Sequence, residues 1–173
     1  RQFSKYAYNF NPKQDLTTKE LSRIQDLMAL MESFYHGTSS GLDCLISLID
    51  RPVLISSRSK IETCQSPDLN QFGQFALLDS DINRKTAPLV YMFLNDLKTN
   101  PVFKKHFEDF KNYSDQIIES LLNNKQVEFF NLFKQISKLQ LLYFCKMIPD
   151  QVKSFWAQGI EEERYYTKLC GAG

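Results

Sequence analysis

His36-Gly37-Thr38-Ser39-Ser40-Gly41-Leu42-Asp43-Cys44 is the stretch around which the chain is organised. It follows a strongly patterned helical segment and precedes a second apolar run. Its two glycines relax the backbone, so that it can pass close to a ligand. The hydroxyls of Thr38, Ser39 and Ser40 offer donors, acceptors and helix caps. An aspartate just inside a helix start is favoured as an anion by the helix dipole, which suits a carboxylate that must stay charged beside a substrate. The same residues also read as a plain helix–loop–helix corner rich in turn formers.

Upstream, Thr17-x-x-Glu20 is a capping box that starts a helix. Leu21, Ile24, Met28, Met31 and Tyr35 follow at steps of three and four, one apolar stripe that reads as core packing. Gly37 ends this helix. Residues 1–16 are aromatic and polar by turns, with Pro12 and no clean period. They read as a connector or a truncated end that could carry a short strand.

Downstream, the run from Cys44 to Ile49 reads as a short buried helix that Ser39 or Ser40 could cap, broken by Asp50-Arg51-Pro52. Strands are predicted over 53–55, 61–64 and 74–79, the last holding Phe75, Ala76, Leu77 and Leu78 between Gly73 and Asp79. The remainder is helical. Leu89, Val90, Phe93, Leu94 and Leu97 pattern a helix from Thr86 to about Lys98, with Pro88 tolerated in its first turn. Asn100-Pro101 starts another, with Phe103, Phe107, Phe110, Ile117 and Leu121 on its buried face. Phe129, Leu132, Ile136, Leu139 and Tyr143 stripe the next. Pro149 opens a shorter helix, closed by Gly159. Residues 165–170 are a further strand candidate, running into Gly171-Ala172-Gly173. Such a glycine alternation begins a phosphate- or substrate-lining loop, so the chain is expected to be a piece of a longer one.

With 173 residues there is enough chain for a real core. Hydrophobic residues make up 43% and charged residues 24%, the balance of a soluble globular protein. A net charge of +1 gives no electrostatic case for nucleic acid or an anionic membrane as partner. No apolar run approaches the length of a membrane span. Cys44, Cys64, Cys145 and Cys170 are widely spaced, and with only 2 histidines a zinc site is not expected. Reduced thiols and a cytoplasmic location follow.

Three constellations carry candidate chemistry: the loop with Asp43, the segment Lys168-Leu-Cys-Gly-Ala-Gly173, and Asn83-Arg-Lys-Thr86. The cations and hydroxyl of the last could approach an anion at a helix N-terminus, or Arg84 and Lys85 are a solvated charge pair. His106 reads as a surface residue of a charged helix. His36 reads as a helix end that satisfies carbonyls rather than as a base.

His36-Gly-Thr-Ser-Ser-Gly-Leu-Asp43 resembles the H-G-x-x-S-G-[IVL]-D segment of mevalonate kinases in the GHMP kinase superfamily. Lys168-Leu-Cys-Gly-Ala-Gly173 resembles the opening of that superfamily's third motif, K-L-[TC]-G-[AS]-G-G-G-G. Arg84-Lys-Thr86-x-x-Leu-Val90 is similar to the mevalonate kinase segment N-T-[RK]-x-L-V, with Lys85 where Asn is usual. The resemblance covers roughly residues 17–173, with the third motif cut short.

The resemblance implies an ATP-dependent kinase for a small-molecule hydroxyl, that of mevalonate first. A sugar, phosphomevalonate or amino-acid alcohol is the alternative acceptor. It implies a ferredoxin-like α+β domain, helix-rich, with a short antiparallel sheet. Asp43 would take the proton of the acceptor hydroxyl. His36, Ser39, Ser40 and Thr86 would line the acceptor pocket. Gly171 and Gly173 would let the backbone close on the ATP side. ATP and Mg2+ are the implied cofactors, held mainly by an N-terminal half. The superfamily's first motif, its glycine-serine phosphate loop and its Mg-binding Glu have no match in these residues, so the chain alone is expected to be inactive. A homodimer is possible by analogy. A reading of another class is a non-catalytic helical interaction domain, for which 14 Phe and 8 Tyr supply the apolar surface.

Overall fold

The computed structural model describes residues 16–57, 60–82 and 84–170. Helices dominate, and the described residues hold one short antiparallel sheet of two strands, an α+β composition. The chain divides into two compact units, residues 1–66 and 67–173. That boundary falls inside the stretch 17–173 read from sequence as one domain. The connector expected over residues 1–16 lies outside the described residues, apart from Leu16.

In the first unit, α1 (Thr18–His36) begins at the capping box the sequence predicts. Thr17 N–H donates to Glu20 Oε2 at 2.8 Å, and Glu20 N–H donates to Thr17 Oγ1 at 3.3 Å. The Thr17 hydroxyl, which donates to the same Glu20 Oε2 at 2.7 Å, and then the Thr17 N–H hold the Glu20 carboxyl below its usual pKa. Leu21 and Ile24 are buried, but the apolar stripe does not stay in the core. Met31 and Tyr35, expected inside, are exposed together with Leu30 and Phe34.

Helix α2 (Leu42–Ile49) starts two residues before Cys44. Its N-cap is Gly41 in the left-handed region rather than a serine, and Ser40 Oγ accepts from Leu42 N–H, the first of the helix, at 3.5 Å. Strands β1 (Val53–Ser57) and β2 (Lys60–Thr63) pair Val53 with Thr63 and Ile55 with Ile61, with a register shift between Ile55 and Ser57. Leu21, Ile24, Leu45, Ile49 and Ile61 form the core of this unit.

The second unit holds α3 (Thr86–Thr99), α4 (Pro101–Leu122), α5 (Gln126–Tyr143) and α6 (Asp150–Glu161), with 3-10 turns at Leu69–Phe72 and Cys145–Met147. Asn100 caps α4 by accepting from Val102 and Phe103 N–H, each at 3.1 Å, and Pro101 occupies the first turn, where its missing N–H costs nothing. Phe103, Leu139, Phe144, Met147, Ile148, Trp156 and Leu169 form the core. Phe93 meets Phe103, Phe107 and Phe144 edge-on at 5.3–5.8 Å, geometry that adds about 0.5–1.5 kcal/mol per pair beyond burial. The predicted faces of α4 and α5 are turned inward, except that Tyr143 lies at the surface. His106 is not a bare surface residue: its ring stacks on Tyr143 at 3.5 Å.

Three expectations are corrected in this unit. Residues 74–79 form no strand: Leu77 and Leu78 are exposed, and Phe75 packs edge-on to Phe129. Gly159 does not close α6, which continues to Glu161. Residues 165–170 have no strand partner among the described residues. An apolar run makes a strand only when another strand takes its ladder, and for 165–170 side chains of α5 take two of its amides instead.

Gly159 sits under the ring of Tyr165, whose hydroxyl donates to Phe155 O at 2.8 Å. A Cβ on Gly159 would lie 2.2 Å from Tyr165 Cε2 and 2.7 Å from its carbonyl oxygen. Gly159→Ala is expected to cost about 1–3 kcal/mol through overpacking, although alanine is otherwise the better helix former. Urea denaturation reads this as a lower midpoint at unchanged slope. A raised midpoint would mean that Tyr165 swings aside freely.

Candidate functional site

Helix α1 shapes the segment that follows it. Gly37 has φ +82° and returns its N–H to Ser33 O at 3.1 Å, turning the chain out of the helix. The loop then folds back along α1. Gln25 Nε2 donates to Ser40 O at 2.9 Å. Ser39 Oγ donates to Glu32 Oε2 and accepts from Gly41 N–H at 3.0 Å. Cys44 Sγ donates to the other Glu32 oxygen at 3.1 Å. Glu32 thus holds the loop and the first turn of α2 on one carboxylate.

Gly41 makes the fold-back possible. It has φ +68°, and a Cβ there would lie 2.3 Å from Gln25 O and 2.5 Å from Ala29 N. The close backbone approach expected of this glycine is therefore made to a helix of the same unit. Gly37, by contrast, has open space where a Cβ would stand.

Asp43 lies in the first turn of α2 and is exposed. Among the described residues no group donates a hydrogen bond to its carboxylate. Asp43 is thus an exposed carboxylate beside the loop. Ser40 and Thr38 are exposed, and Ser39 is half-buried in the Glu32 contact. The backbone of His36 ends α1. Four expected site residues, His36, Ser39, Ser40 and Asp43, thus share one unit and one helix–loop–helix corner. The helix–loop–helix corner of the plain structural reading is present, with the Asp43 carboxylate exposed on it.

The other expected residues lie elsewhere. Thr86 belongs to the second unit, exposed at the first position of α3. Arg84, weighed as an anion contact or as a solvated charge pair with Lys85, is half-buried and bonded to backbone carbonyls. Its Nη1 donates to Met147 O at 2.6 Å and its Nη2 to Lys146 O at 3.4 Å, which ties the approach to α3 onto the 3-10 turn. Lys168 Nζ donates to Leu169 O at 2.9 Å. Gly171, Gly173 and Asn83 lie outside the described residues.

Among the described residues no group of three or more His, Cys, Asp or Glu could hold a metal ion, and no described residue is assigned to Mg2+. No described helix is long and apolar enough to cross a membrane. An open cleft of about 630 Å³ between α4 and α5 is lined by Gln116, Gln126, Asn131 and Leu132 among others, and by none of the expected site residues.

Sequence reasoning missed Gln25, Glu32 and the reason for Gly41. Gln25 and Glu32 are polar positions on α1 with no motif of their own, so no local signal marks them. Gly41 was visible as a glycine, but its partner was not. No family model, no curated protein and no solved structure matches the chain.

Two outcomes follow from this geometry. Gly41→Ala should cost at least about 2 kcal/mol, from the positive φ and the clash with α1 together. Gly37→Ala, with strain but no clash, should cost less, and equal losses by urea denaturation would remove the close contact from the account. The Glu32 hydrogen bond, with burial and the charges of Glu32 and Asp43, pushes the Cys44 thiol up in pKa. At a fixed pH near 8 less thiolate is present, so Glu32→Gln should speed alkylation of Cys44, read by peptide mass spectrometry. Unchanged or slower alkylation would contradict the contact.

Proposed function

We propose that the chain supplies the acceptor side of an ATP-dependent small-molecule kinase of the GHMP superfamily, most like mevalonate kinase. The observation that carries this reading is the free carboxylate of Asp43 in the first turn of α2, at the end of the His36–Asp43 segment that resembles the mevalonate kinase motif. Phosphoryl transfer depends chiefly on positioning and on neutralising charge. Asp43 would accept the proton of the acceptor hydroxyl as its oxygen attacks the γ-phosphorus of ATP, with ADP leaving. Ser39, Ser40 and His36 would set the pocket rim beside it, with Thr86 as a further acceptor contact. Gly171 and Gly173, in the segment that resembles the third motif, would serve the ATP side. Mg2+ would neutralise phosphate charge when bound, held mainly by the N-terminal half of the kinases that these segments resemble.

The reading brings with it the ferredoxin-like fold of the superfamily's C-terminal half and a cytoplasmic enzyme of isoprenoid biosynthesis. The α+β composition with a short antiparallel sheet accords with that fold at its coarsest level. A second reading, a non-catalytic interaction domain, draws on the exposed Leu30, Met31, Phe34 and Tyr35 of α1. An acceptor screen of the full-length protein with ATP and Mg2+ separates the two, and also separates mevalonate from sugar, phosphomevalonate and amino-acid alcohol acceptors.

In the full-length protein, Asp43→Asn is expected to lower kcat by about 10²–10⁴-fold, the usual contribution of a positioned base. ATP binding, followed by isothermal calorimetry, should persist. Near-normal turnover in the variant would remove Asp43 from the mechanism, and no phosphorylation of any acceptor would remove the kinase.

A further inference from the structure

From residue 73 to residue 80 the chain makes no helix, turn or bend. Residues 73–79 are all exposed, and among the described residues no group of 73–78 takes part in a hydrogen bond. Residues 165–170 differ, since Ser137 and Gln140 take two of their amides. The side chains of the open run are apolar nonetheless: Leu77 is 90% exposed, Phe75 58% and Leu78 54%. A single exposed leucine is ordinary, but three large apolar side chains within four residues make a patch. The run starts from a fixed point, because Phe72, 1% exposed, and Phe75 both meet Phe129 edge-on. It ends on two exposed carboxylates, Asp79 and Asp81, where Asp79 Oδ1 accepts the Asp81 N–H at 2.8 Å. Among the described residues neither carboxylate meets a Lys or Arg.

We propose that residues 74–78 dock a β-strand added by a partner protein. The partner segment is extended and apolar at alternate positions, runs antiparallel, and carries Lys or Arg at its N-terminal end. A helix could cover the leucines, but its own backbone groups are already paired. An added strand covers the side chains and takes the open N–H and C=O groups as well, the first giving specificity and the second affinity. In an extended run Phe75, Leu77 and Asp79 share one side, and Gln74, Ala76 and Leu78 the other. Antiparallel pairing brings the partner's N-terminal end to Asp79 and Asp81, where cations complement the two carboxylates. A second copy of this chain fits less well. Antiparallel pairing of the run with itself about Ala76 sets Asp79 opposite Gly73 and leaves both carboxylates without a cation. The proposal is independent of the kinase reading.

Peptides with blocked ends, titrated against the intact chain, test this. The probes are Lys-Lys-Val-Thr-Val-Thr, the acidic-ended Glu-Glu-Val-Thr-Val-Thr, a fully N-methylated copy of the first, and Gln-Phe-Ala-Leu-Leu to stand for a second copy. Saturating Lys-Lys-Val-Thr-Val-Thr should slow amide hydrogen exchange over residues 74–78 about tenfold or more. The acidic-ended and N-methylated peptides should each bind about tenfold more weakly or worse. Leu77→Ser should leave the urea midpoint unchanged, since the side chain is exposed, and weaken the basic-ended peptide about tenfold. Asp79→Asn with Asp81→Asn, which keeps the Asx acceptor, should erase the preference for the basic end.

Unchanged exchange over 74–78 with every peptide overturns the docking surface. Equal binding of the acidic-ended peptide overturns the charge assignment, and undiminished binding of the N-methylated one overturns strand addition. Binding of Gln-Phe-Ala-Leu-Leu alone gives the surface to a second copy and overturns the partner.

Discussion

Every buried backbone N–H and C=O must find a partner, and this chain has little sheet to supply them. The described residues contain a single two-stranded ladder. Beyond it, irregular and extended backbone is held by side chains. Gln25 takes the Ser40 carbonyl, Arg84 takes the carbonyls of Met147 and Lys146, and Ser137 and Gln140 take the amides of Thr167 and Leu169. Most side chains in these contacts stand on regular helices. Such helices do two tasks at once, packing an apolar face and lending polar groups to a neighbour.

That division of labour explains where the structure tolerates no Cβ. Gly41 and Gly159 mark places where a returning segment lies directly on a helix. At Gly41 the loop touches the backbone of α1, and at Gly159 the ring and carbonyl of Tyr165 press on α6. Glycine serves the first through its left-handed φ as well as its size, and the second through size alone. In each case a returning segment is held down, the loop before α2 in one unit and the stretch at Tyr165 in the other.

Much of the helical part was legible in the sequence because its signals are local. The Thr17–Glu20 box, Asn100-Pro101 and the stripes of α4 and α5 each specify an element within a few residues. The strands were less legible. Residues 53–55 and 61–64 found each other, whereas 74–79 and 165–170 did not, because an apolar run of six residues does not state whether its partner is a strand or a helix. The outward turn of Met31 and Tyr35 was likewise invisible, since a stripe shows which residues align but not how far along the helix the neighbours extend. At the candidate site the position of Asp43 in a first turn was readable from its flanks. Glu32 and Gln25 were not, because their meaning comes from a loop that returns after the helix has ended.

The match between α5 and the segment beside it has a geometrical limit. Ser137 meets Thr167 and Gln140 meets Leu169, so the two chains run in the same direction. Three residues of helix advance about 4.5 Å, whereas two residues of extended chain advance about 6.6 Å. The shortfall of about 2 Å per step is bridged by unequal arms, a short serine hydroxyl at one end and a long glutamine amide at the other. Like the two scales of a vernier, helix and strand coincide only over a short interval. With two such contacts, the clasp marks a position rather than beginning a ladder.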